Sequence, residues 1–387
     1  MTHQNNSNLL NQILEVISTQ NPEGLSRALT IIMNEAMKVE RAEVLNAEPY
    51  ERTEDREGYA NGFKDKKLKT RTGELELKIP QTRGCEFYPS SLEKGIRSER
   101  ALKLALAEMY VQGVSQRRVS KIVEEMCGYS VSTSQVSKAA LLLDEEIDKW
   151  RNRPLEAYPI LIVDATYEDV RIDRSVVSGA VLVVFGVDND GKRSILGVST
   201  SISEAEVHWK SLFQSLTARG LHGVKYIVSD AHEGLKAARK AVFPGVVWQR
   251  CQFHLQQNAQ KYATKQEQRK GIAAEIRSVF NAEDIYDAEE KLKRLVQKHE
   301  KDKPDYALWL EKNIPEGLSV FQMPQNQRKK LRTSNMAERQ MKEIKRRTKV
   351  AMIFPNEKSL LRLVSAILME QDEVWRNGKR YLPAEDD

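Results

Sequence analysis

The sequence has little cysteine, and none of it is arranged for cross-linking. Only Cys85, Cys127 and Cys251 occur among the 387 residues, and they lie far apart along the chain. Small disulfide-stabilised domains carry several cysteines at close spacing, so that class of protein is excluded. We therefore expect the chain to fold in a reducing compartment, the cytoplasm.

Long apolar runs are absent as well. No stretch approaches the roughly 18 consecutive apolar residues of a membrane-spanning helix. The opening segment "MTHQNNSNLLNQ" has no basic stretch followed by an apolar one, so we expect neither a secretory signal nor a membrane partner. Hydrophobic residues make up 40% of the chain and charged residues 30%, which suffices for a core beneath a well-hydrated surface.

Charge of neither sign dominates the whole chain, but basic residues are concentrated locally. The net charge is only +6, so the distribution of charge says more about partners than its sum. Alternating apolar and charged residues around Thr72-Gly73 predict a β-hairpin within residues 49–97. Its first arm carries five basic residues and one acid. The residues of this arm that we expect to contact DNA phosphates are Lys66, Lys67, Lys69 and Arg71.

Helical patterns flank this hairpin. Apolar residues at three- and four-residue spacing predict helices within residues 1–48, and we expect no partner for them in the chain, which favours a role in oligomerisation. Residues 98–150 contain three short helical segments, a pattern typical of a helix-turn-helix and also of an ordinary three-helix bundle. The DNA-binding interpretation depends on basic residues of the middle helix and short polar residues that open the third, namely Arg117, Arg118, Lys121, Ser134 and Gln135.

A different composition begins at residue 151. Three apolar, β-rich runs precede a helix, a strand, a helix and a strand, so residues 151–251 predict an α/β domain with a mixed sheet covered on both faces. Asp164 lies within the run "ILIVDATYEDV", and Asp230 directly follows "VKYIVS". A buried carboxylate is costly unless a cation pairs with it. Two acids at the ends of adjacent strands suit Mg²⁺, which prefers carboxylate oxygen.

Such a metal site needs a third acid. Glu338 is the best candidate, and Glu343 is its rival. The two lie about 140° apart around a helix, so both cannot face one metal site. Residues 328–349 carry ten basic residues and two acids, as expected of a segment that binds DNA phosphates. The candidate phosphate contacts on this helix are Arg339, Lys342, Lys345, Arg346 and Arg347.

The interval between the second and third acids has helical patterns and no strand. We therefore expect residues 252–333 to form an all-α insertion, followed by core helices within 334–387. Cys251 and His254 form C-x-x-H, which is half of a zinc site, but no second half is apparent, so zinc is not expected. A hydrogen-bonded packing pair is the alternative. Trp209 and Trp248 lie on apolar faces, where core packing competes with base stacking.

Four segments together make the sequence recognisable. The segments "VDATY", "GVSTSISEAEVHWKSLFQSLTARGL", "IVSDAHEGLKAARKAVFPGVVWQRCQFH" and "TSNMAERQMKEIKRRTKV" resemble the Mutator-like DDE transposases of bacterial insertion sequences. The resemblance covers nearly the whole chain. It implies an RNase H-like core with a helical insertion, and a catalytic triad of Asp164, Asp230 and Glu338 that binds Mg²⁺, with Mn²⁺ as a substitute. It also implies a structural or active-site role for Cys251 and His254; His254 could approach the scissile phosphate.

The resemblance implies cleavage and strand transfer at the terminal inverted repeats of an insertion sequence. The partners expected are double-stranded DNA, in both repeats and target, and a second copy of the chain, because joining two ends requires two active sites in one complex. Such a protein would act on the bacterial nucleoid. Two alternatives remain: a catalytically inactive DNA-binding regulator of the same fold, and a structure-selective RNase H-like nuclease. A regulator has no use for three converging carboxylates, which argues against the first.

Overall fold

The computed structural model describes residues 12–16, 22–47, 51, 53, 55–92, 98–263, 265–349 and 351–383. The chain divides into two units, Met1–Leu143 and Asp144–Asp387. Residues 12–16 are helical, whereas the rest of the first expected helical run, 1–11 and 17–21, lies outside the described residues. No helix in the described part of the chain is long and apolar enough to cross a membrane.

The first unit begins with a helix that packs on a β-hairpin. These elements are α1 (Pro22–Leu45), β1 (Tyr59–Thr70) and β2 (Gly73–Arg83). The two strands pair antiparallel. Alternate residues of β2 face the helix, so Leu75, Leu77 and Ile79 share a core with Met37 of α1. The expectation that the amino-terminal helices lack a partner in the chain is therefore wrong, because periodicity identifies an apolar face but not the segment that covers it.

Three short helices complete the first unit. They are α2 (Arg100–Val111), α3 (Gln116–Cys127) and α4 (Thr133–Ala140). Their apolar faces share one core that includes Leu106, Val119 and Val136. Helix α3 begins after the Ser115 cap and ends at Gly128, whose φ of +71° is a left-handed conformation that glycine adopts readily.

A five-stranded sheet forms the centre of the second unit. Its strands are β3 (Ile160–Ile172), β4 (Ser175–Val187), β5 (Arg193–Ser201), β6 (Tyr226–Ser229) and β7 (Val247–Arg250). They lie in the order β5-β4-β3-β6-β7. Strand β4 is antiparallel to both β3 and β5, whereas β6 runs parallel to β3 and to β7. The prediction of an α/β fold with a mixed sheet is confirmed.

Helices pack against this sheet and extend beyond it. They are α5 (Asp144–Arg151), α6 (Glu206–Ala218), α7 (Glu233–Val242), α8 (Gln252–Ala259), α9 (Gln266–Phe280), α10 (Ile285–His299), α11 (Pro304–Asn313), α12 (Gln325–Leu331), α13 (Asn335–Thr348) and α14 (Glu357–Arg376). Leu161 and Val163 of β3 share a core with Trp209 of α6. Because side chains alternate along a strand, Ile162 and Asp164 face the opposite side of the sheet. Helices α13 and α14 contact β3 as well.

Helices α8 to α11 build a hydrophobic core of their own, which includes Leu255, Ile276 and Leu310. No strand occurs in the described part of residues 252–333. This helical segment is fastened to the sheet through β7. The Gln249 side chain donates to the carbonyl of Gly317 at 2.8 Å, in the short 3₁₀ turn Ile314–Gly317. Arg250 donates to the carboxylate of Glu316 at 2.8 Å, also in that turn.

A buried carboxylate joins α5, β5 and α14. Asp372 is 1% exposed. Its Oδ1 accepts from the backbone N–H of Ile195 at 2.7 Å, and its Oδ2 accepts from Trp150 Nε1 at 2.9 Å and Arg153 Nη2 at 3.0 Å. Trp150 belongs to α5, so this carboxylate binds α5 to the second unit. Helix α5 accordingly belongs to the second unit, which begins at Asp144 rather than after residue 150.

Replacing Asp372 with Ala should lower the free energy of unfolding by about 3–5 kcal/mol, because a buried guanidinium and two buried N–H groups lose their acceptor. Urea denaturation followed by circular dichroism measures this loss. The control is Glu373→Ala on the exposed neighbouring residue, which should change stability by less than about 0.5 kcal/mol. Similar losses in the two variants would contradict a structural role for Asp372.

Candidate active site

Two neighbouring parallel strands bring Asp164 and Asp230 to the same level of the sheet. The last paired residues of β3 and β6 are Ile162 and Val228, and each acid follows two residues later. Each carboxylate accepts a hydrogen bond from the next backbone N–H, at 2.9 Å for Asp164 and 2.7 Å for Asp230. Strand β6 ends at Ser229, whereas β3 continues. Asp230 therefore lies just beyond the end of β6, beside β3.

Glu338 joins these acids from the first turn of α13. Its side chain is only 18% exposed. The Oε1 atom is buried and has no hydrogen-bond partner, and it lies 3.7 Å from His254 Nε2. A buried carboxylate oxygen without a partner is unusual in folded proteins and marks a place where an ion or ligand is expected.

The electrostatic environment of Asp164 reflects its burial and the charged groups around it. Burial, followed by the negative charges of Glu338 and Asp230, raises the pKa of Asp164 to about 7. The hydrogen bond from Ala165 and the positive charge of His254 oppose this rise. Concentrated negative charge of this kind is relieved by a bound cation, and carboxylate oxygens are the ligands that Mg²⁺ prefers. The donor set therefore fits a divalent cation bound by oxygen.

His254 and Cys251 lie beside the acids at the start of α8. His254 Nδ1 is 3.9 Å from Asp230 Oδ1. The neighbouring Cys251 thiol, followed by the charges of Asp230 and Glu338, raises the pKa of His254 to about 9 against the effect of burial. Burial raises the pKa of Cys251, but hydrogen bonds with His254 and Ser334 outweigh it and hold the thiol below its ordinary pKa. The imidazole is therefore positively charged at neutral pH.

Cys251, His254 and Glu338 form a second group that could hold a metal ion. One sulfur, nitrogen or oxygen atom from each lies within 4.8 Å of the others. The spacing of C-x-x-H alone left this group incomplete, since the third member lies in α13, far along the chain. Among the described residues, this is the group whose ligand atoms lie within 4.8 Å of one another. Glu338 thus belongs both to this group and to the three carboxylates that the sequence predicts as Mg²⁺ ligands.

The rival acid Glu343 lies in a different network. It accepts hydrogen bonds from Arg346 at 2.8 Å and Arg347 at 2.7 Å. The bond with Arg346, and then that with Arg347, lowers the pKa of Glu343 to about 2, although burial opposes this. Arg347 also donates to Glu370 at 2.5 Å and is only 12% exposed. Glu343 is therefore held by arginines, whereas Glu338 faces His254.

Comparison with known proteins identifies the family of this chain. A family model described as "Transposase, Mutator family" matches residues 1–378. The chain belongs to the Mutator family of transposases. It is 53% identical over 362 residues, 93% of each chain, to the transposase for insertion sequence element IS406 of Burkholderia multivorans. It is 40% identical over 371 residues, 96% of this chain and 93% of the relative, to the transposase for ISRM5 of Rhizobium meliloti. The transposase for IS256 in transposon Tn4001 of Staphylococcus aureus is 38% identical over 360 residues, 92% of each chain.

In this Mutator-family chain, the predicted DNA-binding cations of the first unit mostly contact other residues. Lys67 lies 3.1 Å from the carboxylates of both Glu74 and Glu76. Lys69 donates to the carbonyl of Ser130 at 2.9 Å. The remaining contacts are Lys66 with Tyr88, Arg71 with Glu99, and Lys121 with Glu125. These partners are weak competitors for a phosphate where the pair is exposed, as it is for Lys67.

The predicted helix-turn-helix residues divide into two groups. Arg117 and Arg118 are exposed, and neither has an ion-pair partner among the described residues. Ser134 and Gln135 instead support the start of α4. The Gln135 side chain accepts from the backbone N–H of Ser132 at 2.8 Å in a capping box, and Ser134 Oγ is 2.9 Å from Ser132 Oγ. The two arginines are therefore better placed for phosphates than the polar pair is for bases.

The aromatic residues near the sheet also differ in accessibility. Trp209 is 0% exposed and lies in the core. Trp248 donates from Nε1 to Ser229 Oγ at 2.9 Å, and Lys236 and Arg239 lie over its ring. Trp209 therefore has no face available to a base, and the ring of Trp248 already contacts two cations.

One aromatic ring beside the acids was not singled out by sequence analysis. Phe253 is 47% exposed and packs edge-on against His254, with 5.5 Å between ring centroids. It lies inside the "CQFH" segment, so the signal was present in a motif examined only for its cysteine and histidine. On α13, Arg339, Lys342 and Lys345 are exposed around the same helix as Glu338.

Proposed function

We propose that this chain is a DDE transposase that binds the terminal inverted repeats of an insertion sequence and catalyses DNA strand cleavage and strand transfer. The observation that carries the proposal is the convergence of Asp164, Asp230 and Glu338 beside a charged histidine. An RNase H-like core is supported by the strand order β5-β4-β3-β6-β7, with one acid on the central strand and another after its parallel neighbour. The names of the relatives, all insertion-sequence transposases, support the same function.

Magnesium is the metal that these ligands suit best, with Mn²⁺ as a substitute. Asp164, Asp230 and Glu338 would hold it through oxygen, and the unpaired Oε1 of Glu338 is a ready ligand. When bound, such ions activate the attacking water or hydroxyl and stabilise the leaving oxygen in phosphodiester chemistry. Zinc would instead favour the thiol and imidazole of Cys251 and His254.

The side chains of the protein supply position and charge. His254, positively charged at neutral pH, lies between Asp230 and Glu338, where it reduces their repulsion and can donate to a phosphate oxygen. The exposed cations Arg339, Lys342 and Lys345 bind the DNA backbone next to Glu338. Arg347 is only 12% exposed and is held by Glu343 and Glu370, so it stabilises the helix. Arg346 is 61% exposed, and its pair with Glu343 competes only weakly with a phosphate.

Two observations favour a transposase over the alternatives. A DNA-binding regulator would gain nothing from an acid whose burial raises its pKa to about 7, since that burial costs stability without serving binding. A structure-selective nuclease would not need the separate amino-terminal unit, whose three-helix segment and basic hairpin suit the recognition of particular ends. We place the reaction in the bacterial cytoplasm, on chromosomal or plasmid DNA.

Cleavage tests the catalytic proposal. Asp164→Ala, Asp230→Ala and Glu338→Ala should each abolish cleavage of a duplex carrying the element end, because each removes a metal ligand. Binding of the same duplex, measured by fluorescence anisotropy, should stay within about threefold of the unmodified protein. The matched control is Glu343→Gln, which keeps the shape of a second glutamate on the same helix and should leave cleavage measurable. Loss of cleavage in Glu343→Gln with activity retained in Glu338→Ala would transfer the role to Glu343.

Binding by the first unit is tested by its unpaired arginines. The double variant Arg117→Gln/Arg118→Gln should weaken binding to specific and random duplexes alike. It should reduce the slope of log affinity against log salt by up to about 2, since each phosphate contact contributes roughly 0.9. Lys67→Gln should reduce the slope by at most about 0.9, because it removes a single cation whose exposed pairs with Glu74 and Glu76 compete only weakly with a phosphate. An unchanged slope in the double variant would exclude α3 from the DNA interface.

A homodimer on DNA follows from the need for two active sites, and α1 offers a surface for it. Leu25, Ile32 and Val39 are 50%, 44% and 59% exposed and recur every seven residues along α1. A heptad stripe of this kind is typical of contacts between two helices.

Changing these three residues to Ser should convert the DNA-bound dimer to a monomer in sedimentation experiments. The control changes two apolar residues of similar exposure, Val207→Ser and Leu308→Ser, and should leave the dimer intact. Dimers that persist in the α1 variant would assign the interface to another surface.

A further inference from the structure

A second concentration of positive charge lies at the end of α14, in a pocket of about 400 Å³. Its polar lining consists of Arg193, Lys330, Gln371, Lys379, Arg380 and Tyr381. No carboxylate lines this pocket in the described part of the chain, and the acids at 385–387 lie outside it. Positive groups that gather without acids between them repel one another, so the arrangement favours a bound anion.

Arg193 is the least exposed of these cations. Its guanidinium lies 4.3 Å from the ring centroid of Trp375 and 5.2 Å from that of Tyr381. Among the described residues, no carboxylate lies within 4.0 Å of it. Burial lowers the pKa of Arg193, and the positive charge of Arg339 lowers it further, although Tyr381 opposes this. A partly buried cation that lacks an acidic partner is available to bind a negatively charged ligand.

The frame around Arg193 is held by backbone hydrogen bonds. The N–H groups of Tyr381 and Leu382 donate to the carbonyl of Gly191 at 2.7 and 3.0 Å. Gly191 has a φ of +73°, and a Cβ there would lie 2.5 Å from the Leu382 carbonyl oxygen, so only glycine fits. Lys330 donates to the Tyr381 carbonyl, and the Tyr381 hydroxyl donates to the Lys330 carbonyl at 3.2 Å. The pocket is therefore formed before any ligand binds.

The aromatic rings of the pocket pack against cations, so they are not free to stack on DNA bases. Arg193 covers the Trp375 ring, which is 5% exposed, and Arg193 and Lys330 both lie over Tyr381. Stacking on a base requires a free ring face. The ligand that matches the remaining chemistry is a phosphate group, bound through charge and N–H donors.

The neighbourhood of the pocket indicates the source of that phosphate. Arg339 directly follows Glu338 in α13 and lies near enough to influence Arg193 and Tyr381. We propose that the pocket formed by Arg193, Lys330, Lys379 and Arg380 binds a backbone phosphate of the DNA whose cleavage site lies at Glu338. This inference rests on the proposed transposase function and adds a DNA contact that is independent of base sequence.

Salt dependence of binding tests the pocket in the full chain. Lys379→Gln/Arg380→Gln removes two exposed cations of the pocket. Its control is Lys293→Gln/Lys301→Gln, which removes two exposed cations of the helical insertion that have no ion-pair partner among the described residues. With a random-sequence duplex, the pocket variant should reduce the slope of log affinity against log salt by about 2, and the control should not change it.

Equal slopes in the pocket variant and the unmodified protein would overturn the inference, provided that both have the same melting temperature. Titration with inorganic phosphate distinguishes the other source of the same chemistry. Suppose that inorganic phosphate binds the unmodified protein and fails to bind the pocket variant, while the two proteins show the same salt slope with the duplex. In that case the pocket is a small-anion site and the inference is wrong. If the unmodified protein cleaves element ends but the pocket variant has the same salt slope as the unmodified protein, this inference alone is wrong. If the two slopes differ but the unmodified protein does not cleave element ends, the proposed function alone is wrong.

Discussion

Burial of a carboxylate in the central strand is the constraint around which the candidate active site is organised. Asp164 lies in an apolar central strand, and burial together with its two acidic neighbours raises its pKa to about 7. Within the strand, the hydrogen bond from the N–H of Ala165 relieves only part of this cost, so the surroundings must relieve the rest. His254 supplies one positive charge between Asp230 and Glu338, and a divalent cation would supply more. The low exposure of Asp164 and Glu338, which makes their charges costly, also strengthens their hold on a metal.

A short series of hydrogen bonds links the acids that lie on either side of the insertion in sequence. The N–H of Cys251 donates to Ser229 beside Asp230 at 2.8 Å, the N–H of Ser334 donates to Cys251 Sγ at 3.3 Å, and the N–H of Glu338 donates to Ser334 at 2.9 Å. The second and third acids are therefore linked through Cys251 although a helical segment separates them in sequence. The Sγ atom of Cys251 accepts the hydrogen bond from Ser334, so this buried thiol has a structural role.

Local patterns were sufficient for the features that depend on neighbouring residues. Alternation and apolar runs predicted the mixed sheet, and an acid in an otherwise apolar strand identified Asp164 as unusual. Features that depend on distant contacts were beyond such patterns. The sequence did not reveal that the hairpin covers α1, that Arg347 is occupied by Glu343 and Glu370, or that Glu338 lies within reach of Cys251 and His254. The pocket at Arg193 combines residues from a strand edge, α12 and the segment after α14, and no spacing rule joins those.

The most direct test of the account is the position of a bound metal ion. Crystals of the protein grown with Mn²⁺ can be measured at a wavelength where manganese scatters anomalously. The account predicts a peak shared by the carboxylates of Asp164, Asp230 and Glu338, and its loss in the Asp164→Asn variant. A peak held by Cys251, His254 and Glu338, with none between the two aspartates, would contradict it.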